Sequence, residues 1–134
     1  MPPDDMEDAE FLDRLVADER GAYELAFVKD FPWNEKRCEA FGAEATARNV
    51  WLSVHAPYFA ILTVDDEEKS KQCLAALEHT MKLGRALGSR IICAHLGPIG
   101  DREPAVLMDL IRRRLDYIAP KVAHLGVGLG LETA

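Results

Sequence analysis

The sequence predicts an α/β protein with about four parallel strands and flanking helices. Four short segments are apolar at nearly every position, as strands are when helices cover a parallel sheet. Segments with apolar residues at helical spacing precede and separate them, so the predicted order is α-β-α-β-α-β-α-β. The predicted strands span residues 23–28, 50–55, 91–95 and 127–132.

The first helix is predicted at about residues 11–20 from its amphipathic spacing, and Gly21 ends it. Residues 1–10 are polar and acidic, and we expect them to form a flexible terminus. Residues 11–134 contain no low-complexity linker. They are therefore expected to form one domain.

Three longer helices are predicted, one between each pair of consecutive strands. The second helix lies at about residues 33–48. The acidic run 65–68 provides a cap and a first turn for the third helix, because carboxylates suit the positive end of a helix dipole, and Gly88 ends it. The fourth helix opens near Asp101, and Pro120 is expected to kink it or to end it early.

The composition excludes several classes of protein. The chain has 134 residues, and its formal net charge of -7 disfavours nonspecific adhesion to nucleic acid. A bound metal ion can reverse the sign of the charge locally, so a nucleic-acid enzyme stays open. No apolar run reaches the length of a membrane span, and the acidic amino terminus does not have the pattern of a secretory signal. Three cysteines without a CxxC pair are typical of reduced thiols, so a cytoplasmic location is expected.

Possible metal ligands occupy three of the four predicted strand ends. They are His55, His95 and Glu132. Each of them alone is more often a hydrogen-bonding residue than a ligand. Together they favour the ligand interpretation, because parallel strands end at one edge of a sheet, where functional groups collect. Two imidazoles and one carboxylate form a donor set that catalytic zinc sites use, so Zn²⁺ is the predicted cofactor.

Three short motifs carry a resemblance to a known family. They are SVHAPY at residues 53–58, AHLGP at 94–98 and LGLETA at 129–134. In this order and spacing they resemble the endonuclease IV family (AP endonuclease family 2), which are zinc-dependent apurinic/apyrimidinic endonucleases with the xylose isomerase-like TIM-barrel fold. The resemblance runs over residues 11–134. It implies a partial (β/α)8 barrel that contains strands two to five.

The resemblance also implies roles for the strand-end residues. His55 and His95 resemble the metal ligands on strands three and four, and Glu132 resembles the catalytic carboxylate that bridges two zinc ions. The other ligands of the family lie on strands six to eight, which would follow Ala134. The chain by itself is therefore expected to be incomplete and inactive.

The same resemblance implies DNA with abasic sites as the partner. Tyr58 resembles the tyrosine that packs near the lesion. Lys29 and Trp33 follow the first predicted strand, in a loop that reaches DNA in the family, so a phosphate contact and a stacking face are expected there. The alternative for Trp33 is that it packs beneath the loop.

Two other functions stay open. A sugar isomerase or epimerase of the same barrel superfamily also binds a divalent metal through a glutamate on strand five, although two histidines on strands three and four count against it. The chain could instead be a non-catalytic half-barrel that associates with itself or with another chain through open sheet edges.

Three further features receive ordinary structural interpretations. His79 is predicted to be an exposed helix residue, and Arg112, Arg113 and Arg114 are predicted to form a solvated helix face. Cys93 is the cysteine that the pattern places nearest to the predicted metal site, two residues before His95 on the same face of a strand.

Overall fold

A four-stranded parallel sheet forms the centre of the computed structural model, which describes residues 1–133. The strands lie side by side in sequence order. This architecture confirms the predicted fold class of a partial TIM barrel. The strands are β1 (Ala22–Ala26), β2 (Trp51–His55), β3 (Ile91–His95) and β4 (Gly128–Glu132).

Four helices connect and cover these strands, and local caps begin two of them. The Asn34 side chain accepts a hydrogen bond from the backbone N–H of Arg37 at 2.9 Å, and the Asp66 side chain accepts one from Lys69 at 2.8 Å. Each cap satisfies a backbone donor that has no partner within the helix. The helices are α1 (Asp8–Ala17), α2 (Glu35–Ala47), α3 (Glu67–Ala86) and α4 (Pro104–Val122).

Two helix bounds differ from the sequence prediction. The first helix begins at Asp8, inside the segment 1–10 that was expected to be flexible, because its acidic first turn suits the helix dipole. The fourth helix continues through Pro120 to Val122, so the expectation of an early end is wrong. Ile118 and Val122 are buried on either side of the proline, and this packing offsets the missing backbone hydrogen bond.

The register of the sheet brings the carboxyl ends of the strands to one rim. Ala26 lies opposite His55, and His55 lies opposite Cys93 on the next strand. His95 lies opposite Glu132. Because neighbouring strands are about 4.8 Å apart, side chains at these positions on the same face are close enough to touch.

The two faces of the sheet have different environments. Leu25, Val54 and Ile92 point towards the helices and are fully buried in the core. The opposite face is open within residues 1–133, where Trp51 is 58% exposed and Ile91 is 50% exposed. The outer edges of β1 and β4 have no strand partner in this part of the chain. None of the helices within residues 1–133 combines the length and the apolar character that a membrane span requires.

One predicted surface residue is buried. Arg114 is only 8% exposed and donates to both carboxylate oxygens of Glu67, at 3.0 and 3.1 Å, and to the Val64 carbonyl at 3.2 Å. The Arg114 hydrogen bonds and charge hold the pKa of the Glu67 carboxyl below its usual value. The prediction that Arg114 belongs to a solvated face is therefore wrong. The residue fastens α4 to the first turn of α3.

A close approach between α2 and the end of α3 depends on Gly42. A Cβ atom at this position would lie 2.5 Å from the carbonyl oxygen of Leu87, which is backbone and cannot rotate away. Close packing of this kind leaves no room for an added methyl group.

Gly42→Ala is expected to destabilise the protein by about 1–3 kcal/mol, because the overpacking outweighs the better helix propensity of alanine. Gly21→Ala is the matched control. A Cβ at Gly21 meets no heavy atom within 4 Å, so this change should stay within about 0.5 kcal/mol of the wild type. Chemical denaturation of the three proteins measures both values. Equal stability of the two variants would contradict the close packing described here.

Candidate metal centre

Three donor side chains converge at the carboxyl ends of β2, β3 and β4. One ligand atom from each of His55, His95 and Glu132 lies within 4.8 Å of the other two. Glu132 Oε2 is 3.0 Å from His95 Nε2 and 3.3 Å from His55 Nε2. The two imidazole rings meet edge to face, with their centroids 4.9 Å apart. The structure therefore brings together the three residues that the sequence analysis singled out as ligands.

The tautomer of His55 follows from its second hydrogen bond. His55 Nδ1 lies 2.9 Å from the carbonyl oxygen of Ala56. A carbonyl oxygen can only accept, so Nδ1 carries the proton. In the neutral ring this leaves Nε2 with a lone pair that points towards Glu132. A ring N–H that donates to a backbone carbonyl is the usual way in which a metal-binding histidine is oriented.

This arrangement fits a bound cation. With neutral His55, the Nε2 lone pair faces a carboxylate oxygen that is also an acceptor, and neither atom supplies a proton. Such a contact is favourable only when a positive charge lies between the two atoms, either a proton on the imidazole or a metal ion. The donor set of two nitrogens and one carboxylate suits Zn²⁺ and other divalent transition metals.

Opposing effects of burial and of nearby polar groups act on the pKa of the His55 imidazole. Burial has the largest single effect on this pKa and lowers it. The hydrogen bond to Ala56, the contact with Glu132 and the charge of Glu24 act in the opposite direction, and together they leave the pKa above its usual value of 6.5. The carboxylates therefore favour a proton on His55 when no other cation is present.

Two further side chains lie on the same face of the sheet, below the donors. Glu24 accepts a hydrogen bond from the Ser53 hydroxyl at 3.2 Å, and its negative charge raises the pKa of His55. Glu24 was not among the predicted site residues, although strict alternation along β1 places it on the same face of the sheet as the donors. Burial raises the pKa of the Cys93 thiol, and Glu132 and Glu24 raise it further, so in metal-free protein this thiol is protonated near neutral pH.

An open groove of about 900 Å³ adjoins His95. The loops after β2 and β3 and the first turns of α3 form its walls. Its lining is mostly apolar and includes Tyr58, Phe59, Ile61 and Pro98. This size and character are typical of small-molecule sites.

The residues predicted to contact DNA have different environments. Tyr58 is 59% exposed at the rim, and its backbone N–H donates to the carbonyl of Val28, so the loops after β1 and β2 are neighbours. Lys29 is also exposed in the first of these loops. Both positions are accessible to a ligand at the rim, and their roles stay predictions.

Trp33 does not fit the predicted stacking role. It is only 4% exposed and packs against Phe41, with ring centroids 5.1 Å apart, while the Arg37 guanidinium covers its ring at 4.2 Å. The indole therefore has no free face for a base. It packs beneath the loop, as the alternative interpretation proposed.

Comparison with known proteins gives a match to one family model. The model describes a xylose isomerase-like TIM barrel, and it matches residues 15–134. No curated protein gives a significant match to the chain.

Solved structures match most of the chain. A D-psicose 3-epimerase with D-tagatose, from Clostridium cellulolyticum, has a TM-score of 0.74 and 14% identity over 96% of this chain and 47% of its own. The TTHB071 protein from Thermus thermophilus, soaked with ZnCl2, has a TM-score of 0.65 and 26% identity over 90% of this chain and 49% of its own. SacUVDE has a TM-score of 0.71 and 12% identity over 94% and 47%. The chain thus spans about half the length of the structures that it matches.

Removal of one imidazole should abolish metal binding. His95→Ala leaves two donors, and we expect titration calorimetry with Zn²⁺ to show no binding at micromolar concentrations. His79→Ala is the matched control, because His79 is an exposed residue of α3 whose ring packs against Phe31, outside the donor group. This variant should bind about one zinc ion, as the wild type should. Equal losses in the two variants would mean that zinc binds adventitiously.

Metal affinity and metal-free stability should respond to pH in opposite directions. Zn²⁺ competes with the proton on His55, so its affinity should fall as the pH drops through the raised pKa of this group. In metal-free protein, protonated His55 beside Glu132 adds stability that is fully present below pH 6.5 and is lost as the pH rises through the folded-state pKa. Thermal unfolding of wild type and Glu132→Gln in EDTA, from pH 5 to 8, tests the second effect. A stability difference that grows with pH would contradict it.

Proposed function

Because the chain belongs to the xylose isomerase-like TIM barrel family, we propose that it carries part of the zinc site of an apurinic/apyrimidinic endonuclease. Such an enzyme hydrolyses the phosphodiester bond 5′ to an abasic site in DNA. This specific activity is an inference from the motifs and from the chemistry of the donor group.

The observation that carries the proposal is the nitrogen-rich donor group at the strand ends. Two imidazole nitrogens within 4.8 Å of each other and of a carboxylate oxygen favour Zn²⁺ over Mg²⁺ or Ca²⁺, which prefer oxygen ligands. The similar Thermus thermophilus protein was soaked with ZnCl2, which is in keeping with this choice of metal.

Each donor residue has a separate task in this proposal. His55 and His95 supply neutral nitrogen atoms, and the Ala56 carbonyl keeps the His55 ring in the required tautomer. Both imidazoles face Oε2 of Glu132, so this carboxylate would hold the metal together with the two histidines. Bound zinc would lower the pKa of a coordinated water and neutralise phosphate charge.

The rim residues Tyr58 and Lys29 would contact the DNA. Tyr58 offers an exposed aromatic face within the groove beside His95. Lys29 offers a positive charge on the neighbouring loop. An abasic nucleotide has no base to unstack, so its sugar reaches a recessed site at little energetic expense.

A sugar isomerase or epimerase is the second candidate. It is favoured by the solved structures, which include a D-psicose 3-epimerase with D-fructose that matches 93% of this chain with a TM-score of 0.73. The identity of 16% supports a shared fold. The third candidate is a half-barrel that associates with a second chain, and the unpaired edges of β1 and β4 within residues 1–133 favour it.

The zinc-loaded chain should bind a DNA duplex with a tetrahydrofuran abasic site more tightly than the same duplex without the lesion. Tyr58→Ala should weaken this preference by roughly 5- to 150-fold, since one stacking contact is worth about 1–3 kcal/mol. Tyr117→Ala, an exposed tyrosine on α4, is the matched control and should bind as the wild type does. Fluorescence anisotropy measures the affinities. Little or no incision is expected, because residues 1–133 contain one group of three donors.

The other outcomes separate the candidates. Absence of any preference for the abasic duplex, together with epimerisation of a ketohexose in the presence of Mn²⁺ or Co²⁺, would favour the sugar enzyme and overturn the nuclease proposal. Robust cleavage that EDTA abolishes would show that three ligands suffice and that the expected lack of activity is wrong.

A further inference from the structure

We propose that Arg102 is a positioning residue of the metal centre. Its guanidinium joins the loop after β3 to the loop after β2 and thereby fixes His95, the donor at the end of β3. The proposal depends on the metal-binding role of His95 proposed above. No sequence pattern points to Arg102, because three of its four partners are backbone carbonyl groups, which every residue has.

The Arg102 guanidinium donates to three carbonyl groups and one carboxylate. Nε donates to the Ile99 carbonyl at 2.8 Å, and Nη2 donates to the Pro98 carbonyl. Nη1 donates to the Thr63 carbonyl at 2.8 Å and contacts Asp65 Oδ1 at 3.1 Å. The side chain is only 21% exposed. Two edges of one planar group therefore hold two different loops.

The loop after β3 is held at its first residue as well. The Leu96 carbonyl accepts hydrogen bonds from Leu62 N–H at 2.9 Å and from Thr63 N–H at 3.1 Å. The Leu96 N–H donates to the Glu132 carbonyl at 3.0 Å. Leu96 directly follows His95, so a movement of this loop moves the backbone that carries two of the three donors.

The same loop packs too closely against its neighbour to shift without strain. Gly97 has a φ of +105°, and a Cβ atom there would lie 2.3 Å from Thr63 Oγ1 and 3.0 Å from the Ile61 side chain. The contact requires the Gly97 backbone to lie directly on the 61–63 segment. Arg102 joins the same two loops beyond Gly97, because it donates to the Pro98 and Ile99 carbonyls of one loop and to the Thr63 carbonyl of the other.

An arginine suits this position better than a lysine does. Its planar fork presents donors in several fixed directions, and here they reach acceptors on two loops at once. A lysine ammonium keeps the charge but has three donors on one atom, so it can retain only part of the set. Loss of a partner that orients a metal ligand typically lowers metal affinity by about 10–100-fold.

Zinc titration of the folded chain tests the proposal. Arg102→Met should lower Zn²⁺ affinity by about 10–100-fold although every donor is still present, and Arg102→Lys should give an intermediate loss. Arg113→Met is the matched control. Arg113 pairs with Asp109 on the exposed face of α4 at 3.2 Å, and its loss should leave the affinity within twofold of the wild type.

The absorption spectrum of bound Co²⁺ adds a measurement that a purely structural role would not change. We expect the visible bands of both Arg102 variants to shift, because the position of His95 changes the geometry around the metal. A lower melting temperature with unchanged zinc affinity and unchanged cobalt spectrum would overturn the proposal, and the lysine variant decides the matter if the methionine variant does not fold. Failure of the wild type to bind zinc would overturn the proposed function as well. Tight binding by the wild type and both Arg102 variants alike would overturn only the role of Arg102.

Discussion

Parallel pairing of four consecutive strands is the constraint on which the site and its surroundings depend. Strands that run in the same direction end at the same rim, so His55, His95 and Glu132 meet although long stretches of chain separate them. The apolar face of the sheet fixes this register. A slip of one residue on β2 would turn the His55 imidazole into the core and expose Val54, which is fully buried. Packing on one face of the sheet therefore determines the geometry of the donors on the other.

The donor group is electrostatically incomplete without a cation. Glu132 Oε2 faces two imidazole nitrogens, and the Ala56 carbonyl fixes the proton of His55 on the far side of its ring. A proton satisfies the arrangement in acid, and a bound metal ion would satisfy it near neutral pH. This conflict is a physical reason for a metal role that does not depend on the resemblance of the motifs. It applies equally to a hydrolase and to an isomerase that use a metal ion at the strand ends.

The strands, the α/β class and the convergence of His55, His95 and Glu132 could be predicted from the sequence because each of these follows from a local pattern. Apolar runs give the strands, and parallel topology then places the strand ends together. Trp33 and Arg114 could not be placed in this way. Their burial depends on tertiary partners, the Phe41 ring for one and the Glu67 carboxylate for the other, which helical periodicity does not report. Arg102 is the extreme case, since carbonyl groups are present at every residue and give no compositional signal.

The order of the strands in the sheet also has a consequence for how the chain forms during synthesis. Among the four strands of residues 1–133, β2, β3 and β4 each pair with the strand before them, so none of these has to insert between two earlier ones. A ribosome releases the chain from its amino end, and β2 can therefore join β1 while α3 and the rest are still being made. Each new strand adds to the edge of the sheet that is already formed, and its helix packs beside the preceding helix. Among the described elements, the three donor side chains come together only when β4 pairs with β3, because Glu132 follows both histidines in the chain.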